Sequence, residues 1–210
     1  MHWLRELGGP IDGYNQSVVL RVPADLGWER LLRALDALAD RHDMLRARLD
    51  RSGDWRLAVR GRGTTPAPEW TVRVDVSGVD GADLAGVVAR EARVAQDALD
   101  PDAGAMVRAV WFDAGPDRPG RLLLVVHHLV VDGVSWRILV PDLAAAWRDG
   151  PAALAPVGTA FAAGPAASPN GRATRTAPPS CHCGRRSWTA AVRSAGPWTG
   201  PGTPPPPPAG

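Results

Sequence analysis

The chain has 210 residues, 45% of them hydrophobic and 22% charged, with a formal net charge of +2. That composition fits a soluble, cytoplasmic globular protein and excludes a membrane span, since no apolar run approaches ~18 residues. The N-terminus lacks the basic and apolar regions of a secretory signal, and residues 1–150, with 22 acidic and 19 basic side chains, do not suggest a nucleic-acid partner.

In chain order, residues 16–22 alternate, with Val18, Leu20 and Val22 on one face, and read as a strand. Asp25 is placed to cap a helix over 26–40, whose Leu31, Leu35 and Leu38 recur at helical spacing. Two short strands, 45–49 and 55–59, flank a Ser52-Gly53-Asp54 turn. Trp70 to Val76 alternates as a further strand, a helix follows over 82–98, and Pro101 ends it. Strands 106–112 and 121–126 come next. The second is apolar on both faces and belongs in the middle of a sheet. Residues 134–148 form a last helix, which Pro141 is expected to kink or split. The class is α/β with a mixed sheet flanked by helices.

The predicted central strand runs into His127-His128-Leu129-Val130-Val131-Asp132-Gly133, and a helix begins immediately afterwards. Burying an imidazole is costly without a partner. Neighbouring strand residues face opposite sides, so one histidine faces a cleft and the other is satisfied within the fold. A neutral imidazole suits general-base chemistry near neutral pH. Asp132 can orient a ring or neutralise an Arg, and Gly133 allows a tight turn. A metal site is disfavoured, because adjacency sends the two rings apart. A lone histidine is more often a satisfied polar residue than a catalyst. The full context of strand, His-His, three residues, Asp-Gly and helix shifts that balance.

The run from His127 to Leu139 resembles the HHxxxDG signature of the condensation-domain superfamily of nonribosomal peptide synthetases. Its continuation Val134-Ser135-Trp136-Arg137-Ile138-Leu139 is more similar to the epimerization branch than to ordinary condensation domains. Gly13-Tyr14-Asn15-Gln16-Ser17 resembles the entry to the first epimerization-domain strand, and Arg41-His42-Asp43-Met44-Leu45-Arg46 resembles the RHxxLR motif. The resemblance covers residues 2–162 and implies a chloramphenicol-acetyltransferase-like lobe. It implies that His128 is the base and His127 chiefly structural, that Asp132 pairs with Arg46, and that Gly133 keeps the turn open beside the substrate tunnel. Asn15, Gln16, Ser17 and Trp136 are candidate tunnel-lining residues. Strand entry and core packing are their alternative roles.

The resemblance also implies no directly bound cofactor. The substrate rides on the 4'-phosphopantetheine of a peptidyl carrier protein. Family members have two such lobes, and a glutamate from the second is the other acid/base of epimerization domains. This chain matches the first lobe, which alone is expected to be nearly inactive and to need a separately encoded second lobe. Residues 163–210, rich in Pro, Gly and Arg, are expected to be disordered and suggest a frameshift in GC-rich DNA. Cys181-His182-Cys183 is a weak metal motif, and the run Pro204–Pro208 a candidate polyproline ligand. Peptide-bond condensation, a non-catalytic carrier-docking lobe and an inactive gene fragment remain the alternatives to epimerization.

Overall fold

A computed structural model describes residue 11, residues 13–154 and the backbone of a strand at 189–194. The alternating segment forms β1 (Asn15–Val22), with Val18, Leu20 and Val22 buried. Helix α1 (Trp28–Arg41) buries Leu31, Leu32, Leu35, Leu38 and Ala39 on one stripe. Its N-cap is Gly27, in the left-handed region at φ 71°, and not the expected Asp25. A residue with positive φ there turns the chain into α1, and glycine is the residue that does so without strain.

A 3-10 turn over Asp43–Arg46 replaces the start of the next predicted strand. It leads into a hairpin of β2 (Ala47–Asp50) and β3 (Arg56–Val59), a two-stranded sheet of its own. Strand β4 (Thr71–Asp75) precedes α2 (Gly81–Asp97). Asp80 caps that helix by accepting from the amides of Ala82 and Asp83, both at 3.0 Å. The hairpin β5 (Val107–Asp113) and β6 (Gly120–His127) then feeds α3 (Trp136–Asp149). A Cβ on Gly120 would lie 2.5 Å from the Phe112 carbonyl oxygen, so the start of β6 has no room for a side chain.

The main sheet has the order β4-β5-β6-β1-β7, where β7 is Thr189–Ser194. β4 and β5 are parallel and the other pairs antiparallel, as the mixed-sheet reading requires. β6 is the central strand, in keeping with its apolar residues on both faces. Leu122, Leu124 and Val126 pack in one cluster with residues of α1 and α3. Leu123 and Val125 pack in a second cluster with Val87, Val88, Ala92 and Ala95 of α2. The sheet is therefore covered on both sides. Each fully buried Leu or Val contributes about 1.5–3 kcal/mol, and Trp147 of α3 is both buried and tied by its indole N–H to the Leu26 carbonyl at 2.7 Å.

Of the two outcomes expected of Pro141, a kink or a split, the split does not occur: α3 is continuous from Trp136 to Asp149. The carbonyl that loses its helical partner is that of Arg137, an exposed residue open to water, while Leu139, Leu143, Ala146 and Trp147 anchor the helix in the core. Beyond residue 162, Thr189–Ser194 pairs antiparallel with Gln16–Arg21. The pairing supplies a ladder partner to the outer side of β1, whose N–H and C=O groups would otherwise form a sheet edge. Cys181-His182-Cys183 and the proline run lie outside the described residues. No helix of the described residues is long and apolar enough to cross a membrane.

Candidate active site

The site forms where β1 and β6 meet at one end of the sheet. Asn15 stands opposite His127 and Gln16 opposite Val126 in the antiparallel register. The backbone N–H of His128 donates to the Tyr14 carbonyl at 2.8 Å, extending the ladder by one residue. Strand alternation then sends the two imidazoles to opposite faces, as the sequence reading requires.

His127 is fully buried at 0% exposure. Its Nε2–H donates to the Ile11 carbonyl at 2.8 Å, and its Nδ1 accepts from the Leu129 amide at 3.2 Å. Both ring nitrogens are thus committed to the fold. His128 is half-buried. Its ring stacks on Tyr14, with centroids 4.4 Å apart and planes within 9°. Its Nε2 lies 3.1 Å from Nε2 of Gln16. The indole N–H of Trp136 donates to Oε1 of the same Gln16 at 2.9 Å. Trp136 itself is only 4% exposed and packs against α1 and the sheet.

The remaining candidates are placed less uniformly. Asn15 and Ser17 alternate with Gln16 and lie on the other side of β1. The Asn15 amide turns back to donate to the Gly13 carbonyl at 2.8 Å, and its Oδ1 is buried without a hydrogen-bond partner among the described residues. Of the three residues 15–17, only Gln16 is joined to His128. Asp132 is exposed and accepts from the Ser135 hydroxyl at 2.7 Å and from the amides of Ser135 and Val134 at 2.8 and 3.0 Å. The Ser135 hydroxyl and amide hold its carboxyl below the usual aspartate range, with a smaller contribution from Val134.

Asp132 does not pair with Arg46. That guanidinium is buried at the end of α1, donating to the Ala39 carbonyl, to the Asp40 carbonyl at 2.9 Å and to the Arg60 carbonyl at 3.1 Å. Orphan carbonyls at a helix C-terminus attract a cation, and Arg46 is only a few residues beyond them. Gly133 lies outside the left-handed region, and a Cβ built on it meets nothing within 4 Å. The turn itself therefore does not require glycine.

Two features outside the motif bear on its setting. His42 caps the end of α1, and its Nε2–H donates to Asp142 of α3 at 2.8 Å, beside Arg41, which reaches the same oxygen at 2.8 Å. Burial pulls the His42 imidazole below its ordinary value, outweighing the raising effect of Asp142. A cleft of about 640 Å³ bounded by Trp28, Arg73, Trp111 and Asp113 lies at the opposite end of β5 from the histidines, and no motif residue lines it. Among the described residues, no three His, Cys, Asp or Glu side chains are gathered as metal ligands.

A three-layer lobe with paired histidines at the end of its central strand is the architecture of a condensation-type domain. The Condensation domain family profile matches residues 1–156, and the chain belongs to that family. It is 41% identical over 136 residues to a component of the linear gramicidin synthase of Brevibacillus parabrevis, covering 64% of this chain and 3% of that protein. It is 37% identical over 134 residues to surfactin synthase subunit 1 of Bacillus subtilis, covering 64% of this chain and 4% of that protein. Among solved structures, the epimerization domain from the third module of tyrocidine synthetase B superposes with a TM-score of 0.63 at 25% identity, covering 76% of this chain and 35% of that one. The first condensation domain of the calcium-dependent antibiotic synthetase superposes with a TM-score of 0.59 at 26% identity, covering 74% and 38%. The chain thus spans a few per cent of the curated synthetases it matches and just over a third of the solved domains.

Proposed function

We propose that this lobe carries the histidine side of an epimerization site, acting on the Cα of an aminoacyl or peptidyl thioester held on the phosphopantetheine of a carrier protein. The observation that carries the reading is the division of labour between the histidines. His127 spends both ring nitrogens on backbone groups in the core, whereas His128 keeps a half-exposed ring at the end of the sheet. An imidazole in that position takes the Cα proton as the C–H electron pair moves into the thioester carbonyl. Return of a proton to the opposite face completes the inversion and needs a second acid, the glutamate that the family resemblance implies. Oriented donors for the enolate-like oxygen are a further requirement.

Epimerization is preferred to condensation because of the segment Val134–Leu139, whose Trp136 reaches Gln16 beside the histidine. The partners of this reading are a peptidyl carrier protein and a complementary lobe, in the cytoplasm, with no metal, nucleic acid or membrane taking part. A condensation domain is the second reading, supported by the similarity to the calcium-dependent antibiotic synthetase domain. There His128 would assist attack of an acceptor amine on a donor thioester.

The chain covers 35% of the solved epimerization domain, so the test supplies the second lobe of such a domain in trans. One aminoacyl carrier in deuterated water is compared with a donor and acceptor carrier pair. Exchange of the α-hydrogen on the single carrier supports epimerization. Dipeptide from the pair without α-exchange refutes it in favour of condensation.

A further inference from the structure

We infer that Gln16, itself oriented by Trp136, is a positioning residue that fixes His128 as the Nδ1–H tautomer with a bare Nε2. An indole N–H is a donor and nothing else. Its 2.9 Å hydrogen bond therefore assigns the Gln16 side chain: the oxygen faces Trp136. The amide NH₂ is then the group 3.1 Å from His128 Nε2, and it donates. A nitrogen that accepts there carries no proton, which leaves the proton of the neutral ring on Nδ1. The opposite amide orientation would set an indole N–H against an NH₂ and leave a buried donor unpaired.

The elements explain why the relay is held so firmly. Gln16 sits in β1 opposite Val126 of the central strand, Trp136 opens α3 with its ring in the core, and Tyr14 lies flat on the imidazole. The ring plane is set by stacking and its protonation pattern by the amide. Free imidazole side chains favour the Nε2–H form, so the relay works against the intrinsic preference. Resting on the epimerization reading, the consequence is that Nε2 is the nitrogen that receives the Cα proton, its one lone pair being released by the Gln16 amide as substrate enters. Trp136 then acts on the chemistry from inside the core, through Gln16, without touching substrate.

The test reads the tautomer directly. The 210-residue chain is labelled with ¹⁵N-histidine, and long-range ¹H–¹⁵N correlations are recorded near neutral pH, with His128 assigned by its loss in His128→Gln. The unmodified chain is expected to favour Nδ1–H by roughly five- to tenfold, the equivalent of one net hydrogen bond. Trp136→Phe, which keeps an aromatic ring and removes the donor, is expected to bring the ratio within about twofold. Gln16→Met abolishes the preference. Gln16→Glu reverses it, because a carboxylate only accepts and calls for Nε2–H. His127 is the internal fold control: Ile11 and Leu129 hold it as Nε2–H, and that signal stays unchanged in every correctly folded variant.

A His128 ring protonated on Nε2 in the unmodified chain overturns the inference. So does a preference that survives both Trp136→Phe and Gln16→Met. If the tautomer is as stated but the reconstituted lobes exchange no α-hydrogen, the epimerization reading fails and the relay stands. If exchange occurs with the wrong tautomer, the relay alone fails.

Discussion

Replacing His127 with alanine tests the structural half of the proposed division between the two histidines. The side chain is 0% exposed and joins two backbone groups, the Ile11 carbonyl at 2.8 Å and the Leu129 amide at 3.2 Å. Alanine leaves both groups without that partner, at about 1–3 kcal/mol each, so a loss of roughly 2–6 kcal/mol is expected. For a folded unit of about 150 residues, each kcal/mol moves Tm by about 2–4 °C, which puts the fall at roughly 4–24 °C. His128→Ala removes one half-buried side-chain hydrogen bond and a stack on Tyr14, about 1–2 kcal/mol in all. Urea titration followed by far-UV circular dichroism measures both variants against the parent chain. Equal losses for the two, or a larger loss for His128→Ala, would refute the division of roles between them.

Stability should also depend on pH through His42. Its folded value lies below the 6.5 of an unperturbed histidine because burial disfavours the charged ring. Between the two values the unfolded chain binds more protons, so stability rises with pH and is lost as pH falls from about 6.5 through the lowered value. Urea midpoints from about pH 7.5 down to 5 check this, and His42→Gln should flatten the slope in that window. Gly133→Ala is expected to change stability by less than about 0.5 kcal/mol, since the site is open and φ is not left-handed. A larger loss in a thermal melt would show that the turn needs glycine after all. Gly120→Ala should cost about 1–3 kcal/mol, because the new methyl meets the Phe112 carbonyl. An unchanged midpoint would contradict that packing.

The elements most legible in the sequence were those set by local periodicity. The run Leu122–Val126, apolar on both faces, announced a central strand, and β6 has covered faces on both sides. Alternation put His127 and His128 on opposite faces, and the family resemblance indicated which of them faces the site. What could not be read locally was which side chain meets His128. Gln16 reaches it across 112 positions because β1 pairs antiparallel with β6, and the register that selects Gln16 over Asn15 and Ser17 emerges only on pairing. Trp136 was legible as a core residue but not as a donor, since one indole serves both purposes. The Asp132–Arg46 pair followed from the family resemblance. In this chain the exposed carboxylate is satisfied by its own turn, and the guanidinium is taken up by the carbonyls that end α1. The strand at 189–194 was hidden in a Pro- and Gly-rich context and depends on an available edge of β1.

In the proposed reaction His128 moves the Cα proton. The direct measurement is the rate of deuterium uptake at Cα of a carrier-bound aminoacyl thioester, with the complementary lobe present, for the parent chain and for His128→Ala. Loss of a positioned general base predicts a fall of about 10²- to 10⁴-fold. Uptake that proceeds at the parent rate without the imidazole would contradict the account.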